Sequence, residues 1–242
     1  MLTIHIAVAK VNHATAVDSS DTLETIERPG GGFSIVLVDG QGRGRGAKTL
    51  SNLVTNRAIS LLKDGARDGA VARAVHDYLY TYRMGQVAAT LNILSVDFAS
   101  GTILMSRNNP TPFFVLTPQG LRDYNEPSEP IGLYAMTRPV ITEHPVEAYT
   151  YIVMFTDGLL RAGEQFGEDI ELINYLSRWP AEEGREPEAL TETLLRRALE
   201  LDRGQPADDI SIVTLAILPE QEQHHIRRLR LSVPFEESGT HA

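Results

Sequence analysis

Three hydrophobic runs in this 242-residue chain each meet an aspartate at one end: Phe33 to Val38 before Asp39, Tyr151 to Thr156 before Asp157, and Asp208-Asp209 before Ile210 to Leu218. Carboxylates carried to one place by separate strands can surround a divalent cation, because hard ions prefer oxygen ligands. A lone aspartate at a strand end has a plainer explanation, since its side chain accepts hydrogen bonds from the turn that follows. Asp97, in Val96-Asp97-Phe98-Ala99-Ser100-Gly101, fits that plainer explanation as a hairpin turn. The other three sit in richer surroundings.

The elements that must position these residues follow from hydrophobic periodicity. Two-residue alternation over Thr3 to Val8 predicts a half-buried strand, and the run Phe33 to Val38 predicts a second after the Pro-Gly-Gly-Gly turn at 29–32. Apolar residues at Leu50, Leu53, Val54, Ile59 and Leu61 predict a helix over 47–62, and 71–82 continues helically beyond Asp64-Gly65. Three short runs between Val87 and Leu116 are separated by turns too short for a crossover helix, so they are expected to be antiparallel. A strand near 140–143, the run 151–156, helices near 169–176 and 187–201, and a final strand from Ile210 complete the pattern, with Trp179-Pro180 ending a helix. Strands, paired helices, more strands, helices and a closing strand imply two sheets faced by helices.

Composition narrows the functional classes. A chain of this length with 42% hydrophobic residues can build one large domain. It contains no cysteine, which excludes disulfide scaffolds, zinc-thiolate sites and cysteine catalysis. The apolar stretch from Leu2 to Val11 is too short to span a bilayer and contains His5 and Lys10, so no membrane role is expected and the cytoplasm is the expected compartment. A net charge of −10, from 32 acidic against 22 basic residues, argues against nucleic acid and in favour of a protein partner. The basic stretch His224 to Arg230 is expected to be a solvated tail or a charge-protected edge strand. His5, His13, His76 and His144 lack ligand-like spacing.

The segment Asp39-Gly40-Gln41-Gly42-Arg43-Gly44-Arg45-Gly46-Ala47 joins a strand to a helix, where glycines let backbone amides approach an anion closely. Gly42, Gly44 and Ala47 satisfy a dinucleotide fingerprint, but the acidic residue expected about 20 positions later at the end of a second parallel strand is missing; Asp64 and Asp68 fall between helices. Lys48-Thr49 give the loop a partial P-loop character, with Ala47 in place of the glycine required before the lysine. A P-loop-like nucleotide-binding enzyme is therefore the distant alternative.

In a third reading Asp39 itself is functional. This loop, together with Phe155-Thr156-Asp157-Gly158-Leu159, Asp208-Asp209-Ile210-Ser211 and Pro130-Ile131-Gly132-Leu133, resembles the metal-dependent serine/threonine protein phosphatases of the type-2C (PPM) family. The likeness is greatest to the bacterial branch related to sporulation stage II protein E, and it runs from about residue 4 to residue 218. It implies an α+β, four-layer α-β-β-α sandwich with two central, mainly antiparallel sheets flanked by helices. The phosphatase domain would occupy residues 1–219, with 220–242 as a C-terminal edge strand or tail.

The resemblance also implies a site. Asp39 would bridge two Mg²⁺ or Mn²⁺ ions, the carbonyl of Gly40 would ligate one, and Asp157 and Asp208 would ligate the other. Asp18 would be the early acidic residue acting through water, with Asp21 as its competitor. A pair of such ions about 3.5–4 Å apart can activate a bridging water for direct attack on phosphorus. Asp209 is the lesser candidate beside Asp208, because neighbours on a strand face opposite ways. Asp39, Asp157 and Asp208 are thus the expected catalytic set, and Arg43 and Arg45 are candidates for holding substrate phosphate through their planar donor forks. Gln41 stands where many eukaryotic relatives, though commonly not the bacterial ones, carry a histidine as candidate proton donor, and an amide cannot serve as one. The implied activity is hydrolysis of phosphoserine or phosphothreonine on a phosphorylated regulatory protein, such as an anti-anti-sigma factor in bacterial stress or sigma-factor control. The competing expectation is a pseudophosphatase or phosphoprotein-binding module, motivated by Gln41 and by the departure from the family pattern around Asp18.

Overall fold

The computed structural model describes residues 1–16, 18–220 and 227–233. Its first sheet contains β1 (Leu2–Val11), β6 (Phe113–Thr117), β7 (Gly120–Tyr124), β9 (Thr150–Phe155) and β10 (Ile210–Pro219), in the order β1-β10-β9-β6-β7. The second contains β2 (Asp21–Glu27), β3 (Phe33–Asp39), β4 (Leu91–Asp97), β5 (Thr102–Asn108) and β8 (Val140–Pro145), in the order β2-β3-β4-β5-β8. Every ladder is antiparallel.

The two sheets face each other. Ile35, Leu37, Leu94, Val96, Ile103 and Met105 from one interdigitate with Phe113, Val115, Ile152, Met154, Val213, Leu215 and Ile217 from the other. Because strand residues alternate between faces, the opposite set on β3 and β4, Val36, Val38, Leu91 and Ile93, turns outward to meet helices. Those helices are α1 (Gly44–Lys63), which buries Leu50, Val54, Ala58 and Leu62 at helical spacing, and α2 (Asp68–Arg83), which buries Val71, Val75 and Leu79. On the other side α5 (Pro187–Leu201) starts with proline at its first turn and packs Leu190, Leu194, Ala198 and Leu201 against the outer face of the first sheet. Two short helices, α3 (Asp157–Leu160) and α4 (Leu172–Ser177), complete that layer. The result is the expected α-β-β-α sandwich.

Most predicted elements fall where periodicity places them, with informative differences. The three runs between Val87 and Leu116 do not form one meander: β4 and β5 pair, whereas β6 crosses to the other sheet. Arg107, 2% exposed, organises that crossing by donating to the carbonyls of Asn109, Thr111 and Glu126, while Ser128 Oγ donates to the Arg107 carbonyl. Strands β2 and β7 have no counterpart in the sequence reading, because both are edge strands with charged, exposed positions that lack a strong apolar pattern. Asp97 behaves as a turn residue, accepting from the amides of Ala99 and Ser100, which lowers its pKa. His76 is a core residue on α2 whose Nδ1 accepts from Gly132 N. Of the C-terminal basic stretch, residues 224–226 lie outside the described residues; 227–233 are exposed and form no strand, and Arg227 pairs with Glu27 at 2.7 Å.

Candidate metal centre

Asp39 ends β3, and the β2–β3 register sets Asp21 directly opposite it. From the facing sheet, Asp157 follows β9 as the first residue of α3, and Asp208 lies just ahead of β10, the strand paired with β9. Both sheets thus deliver carboxylates to one end of the sandwich. Asp21 also links them physically: its Oδ2 accepts from Thr156 Oγ1 at 3.0 Å and from Ser211 Oγ at 2.6 Å.

Two glycines permit the close packing behind this cluster, and neither is needed for a positive φ. A Cβ on Gly40 would lie 2.2 Å from Ala47 O, and one on Gly158 would lie 2.1 Å from Asp209 O. The Asp-Gly pairs at 39–40 and 157–158 therefore record backbone pressed against the start of α1 and against the strand entry at Asp209. Gln41 clamps the same loop from the other side. Its amide donates to Ala88 O at 3.1 Å and its side-chain Oε1 accepts from Ala88 N at 2.8 Å, while Thr90 N donates to Asp39 O. Gly40 in turn bridges to Ala89, and Ala89 to Ile131 of the Pro130-Ile131-Gly132-Leu133 segment.

The electrostatics are those of crowded carboxylates. Burial first, then the charges of Asp21, Asp157 and Asp208, push Asp39 up to about 8. Burial likewise raises Asp21 to about 6, against the lowering effect of its Ser211 and Thr156 hydrogen bonds. Asp157 is raised by burial and by Asp208, with Arg161 opposing. Lys10 and Lys48 both donate to Asp21 O, at 2.9 and 2.7 Å, and burial lowers the pKa of Lys10.

The expected site residues divide accordingly. Asp39, Asp157 and Asp208 come together, and Gly40 lies beside Asp39. Strand register places Asp21 directly beside Asp39, whereas Asp18 is exposed on the bend before β2. Asp209 does a different job from Asp208: its carboxylate accepts from His13 N at 2.8 Å and Ser20 N at 2.7 Å, holding the loop between β1 and β2. Arg43 reaches across to Ala207 O at 3.0 Å, and Arg45 is exposed on the first turn of α1. Lys48 donates to Asp21 O and Thr22 Oγ1, and β3 has antiparallel neighbours on both sides, so neither nucleotide loop is built here.

The donor set is chemically suited to hard divalent ions: oxygen ligands only, with burial and then mutual repulsion raising Asp39 far above the ordinary aspartate range. Even so, among the described residues no three acidic or imidazole groups close around a single point. Arg161, at the end of α3, stands at the Asp157–Asp208 pair, 2.9 Å from Asp208 Oδ2 and 3.8 Å from Asp157 Oδ2. Sequence reasoning did not single out Arg161, although its i+4 spacing from Asp157 at a helix start was available as a signal.

The family model for stage II sporulation protein E (SpoIIE) matches residues 29–218. The chain belongs to the SpoIIE family. Among solved structures, the PP2C phosphatase domain of SpoIIE from Bacillus subtilis, with a fragment of its regulatory domain, superposes with a TM-score of 0.79 at 16% identity, covering 91% of this chain and 65% of that one. The RsbU and RsbW domains of Rv1364c from Mycobacterium tuberculosis give 0.68 at 19% identity, covering 89% and 60%. The catalytic domain of the serine/threonine phosphatase PstP, in complex with two manganese ions, gives 0.66 at 16% identity, covering 90% and 100%. No curated protein matches the chain. The SpoIIE-family chain therefore has the PP2C phosphatase fold, and at these identities the superpositions speak for fold.

Proposed function

We propose that this SpoIIE-family chain is a metal-dependent protein phosphatase that hydrolyses phosphoserine or phosphothreonine with two bound Mn²⁺ or Mg²⁺ ions. The observation that carries the proposal is that Asp39, Asp157 and Asp208, with Asp21, lie at one end of the sandwich, where burial and then the charges of its neighbours raise Asp39. Asp39, the Gly40 carbonyl, Asp157 and Asp208 would hold these ions. Asp21, rather than Asp18, acts as the early acidic group, held in place by Thr156 and Ser211. Bound there, divalent ions would supply an activated water and would neutralise charge on phosphoryl oxygens. The chain contributes placement. Gln41 and Thr90 fix the Asp39-Gly40 backbone, and Arg45, exposed on the first turn of α1, offers its guanidinium to substrate phosphate; Arg43, tied to Ala207 O, supports the loop. Gln41 donates no acidic proton, so the leaving alkoxide takes its proton from water.

The substrate we infer is a small phosphorylated regulator such as an anti-anti-sigma factor. The net charge of −10 and the family membership support a protein substrate over nucleic acid. No helix among the described residues is long and apolar enough to cross a membrane, and the chain contains no cysteine; both agree with our inference of a cytoplasmic setting.

A second reading, a phosphoprotein-binding pseudophosphatase, is favoured by one observation: Asp208 is ion-paired to Arg161. Phosphate release from a phosphoserine protein, measured with Mn²⁺, with Mg²⁺ and with chelator, separates the two. The phosphatase predicts metal-dependent release that falls at least 100-fold in Asp39→Asn, roughly the loss expected when a catalytic electrostatic group is removed. Tight binding of the phosphoprotein with no turnover at saturating Mn²⁺ would establish the binding module instead.

A further inference from the structure

We infer that Arg161 is a tethered competitor for the Asp157–Asp208 half of the centre, so that a divalent ion binds there only as the guanidinium moves away, and that Arg161 thereby sets the metal affinity. The inference rests on the metal-centre reading above. One guanidinium nitrogen, Nη1, lies 2.9 Å from Asp208 Oδ2 and 3.8 Å from Asp157 Oδ2, so it faces the two carboxylates assigned to one ion. A dication held by these oxygens and a guanidinium at the same oxygens repel strongly, because the separation is far shorter than the screening length of about 8–10 Å.

Two features make displacement feasible. The Arg161 side chain is 48% exposed, so it swings into water rather than through packed core. Glu164, on the short turn after α3, lies 3.4 Å from Arg161 Nε and offers a carboxylate that does not belong to the centre. Arg161 therefore has two anionic partners, the Asp157–Asp208 pair at Nη1 and Glu164 at Nε, and a bound dication tips it toward the second. Its backbone stays anchored throughout, since Arg161 N donates to Asp157 O at 3.0 Å. The functional consequence is a threshold: the site fills only at divalent-ion concentrations high enough to expel its own cation.

The test is Mn²⁺ binding by titration calorimetry, with parallel thermal melts in chelator and in Mn²⁺, on the unmodified chain and two variants. In Arg161→Gln the competitor is gone, and the Mn²⁺ affinity is expected to rise roughly tenfold, with partial exposure and screening keeping the effect near that size. The same variant melts lower in chelator, because two carboxylates lose their counter-ion, and gains more than the parent on adding Mn²⁺. In Glu164→Gln the alternative partner is gone, so Arg161 stays on the aspartates and Mn²⁺ affinity falls. Opposite shifts from two half-exposed neighbours are not expected of a merely structural arginine. Unchanged or weaker Mn²⁺ affinity in Arg161→Gln, with Mn²⁺ still binding the parent, would overturn the inference alone. Failure of all three proteins to bind Mn²⁺ would overturn the metal centre and the inference together.

Discussion

Burial and three neighbouring carboxylates hold Asp39 near 8, while an unperturbed aspartate titrates near 4. A carboxyl whose folded pKa lies above its unfolded value contributes stability that is fully present below the unfolded pKa and is lost as pH rises through the folded one. Without divalent ions the protein is therefore expected to lose stability progressively between about pH 4 and pH 8. Each kcal/mol lost is worth roughly 2–4 °C of Tm in a chain of this size. Thermal melts in chelator from pH 5 to pH 8.5 check this: Tm should decline with pH, Asp39→Asn should flatten the decline and melt higher at pH 8, and Mn²⁺ should raise the parent most at high pH. A chelated parent whose Tm climbs across that window would show that Asp39 does not carry the strain. At this scale the site was partly legible. Asp39, Asp157 and Asp208 stand out because glycine or a second aspartate follows them, and the packing of Gly40 and Gly158 shows why glycine is required there. Which of Asp18 and Asp21 lies beside Asp39 was not legible, since it depends on the β2–β3 register, and β2 itself leaves little mark in the sequence.

Elements with both faces or one long stripe buried were the ones the sequence announced. Strands β3, β9 and β10 are apolar almost throughout, and α5 shows its buried leucines at helical spacing. Which sheet a strand joins was hidden, because the turn between Asn108 and Phe113 is equally compatible with a hairpin and with a crossing. The crossing depends on Arg107, whose buried guanidinium satisfies the carbonyls of Asn109, Thr111 and Glu126. Replacing it with methionine leaves three acceptors without their charged donor and is expected to cost about 2–4 kcal/mol. Urea unfolding of Arg107→Met checks the figure; a loss under about 0.5 kcal/mol, the range of ordinary surface substitutions, would remove Arg107 from this role.

For the whole molecule, the sandwich brings two sheets together so that one end collects acidic groups from both. Asp21 and Asp39 come from one sheet, Asp157 and Asp208 from the strand ends of the other, and the Thr156 and Ser211 hydroxyls join the halves through Asp21. This explains why distant segments of the chain carry the motif: no single element could supply carboxylates from both sheets to one end. The central claim is that this end of the sandwich is a two-ion centre organised on Asp39. Anomalous diffraction at the manganese edge, from crystals grown in Mn²⁺, tests it most directly. Two peaks roughly 3.5–4 Å apart that share Asp39, one of them against Asp157 and Asp208 with Arg161 swung away, are what the account predicts. Manganese found elsewhere on the molecule, or absent from this end at millimolar concentration, would contradict it.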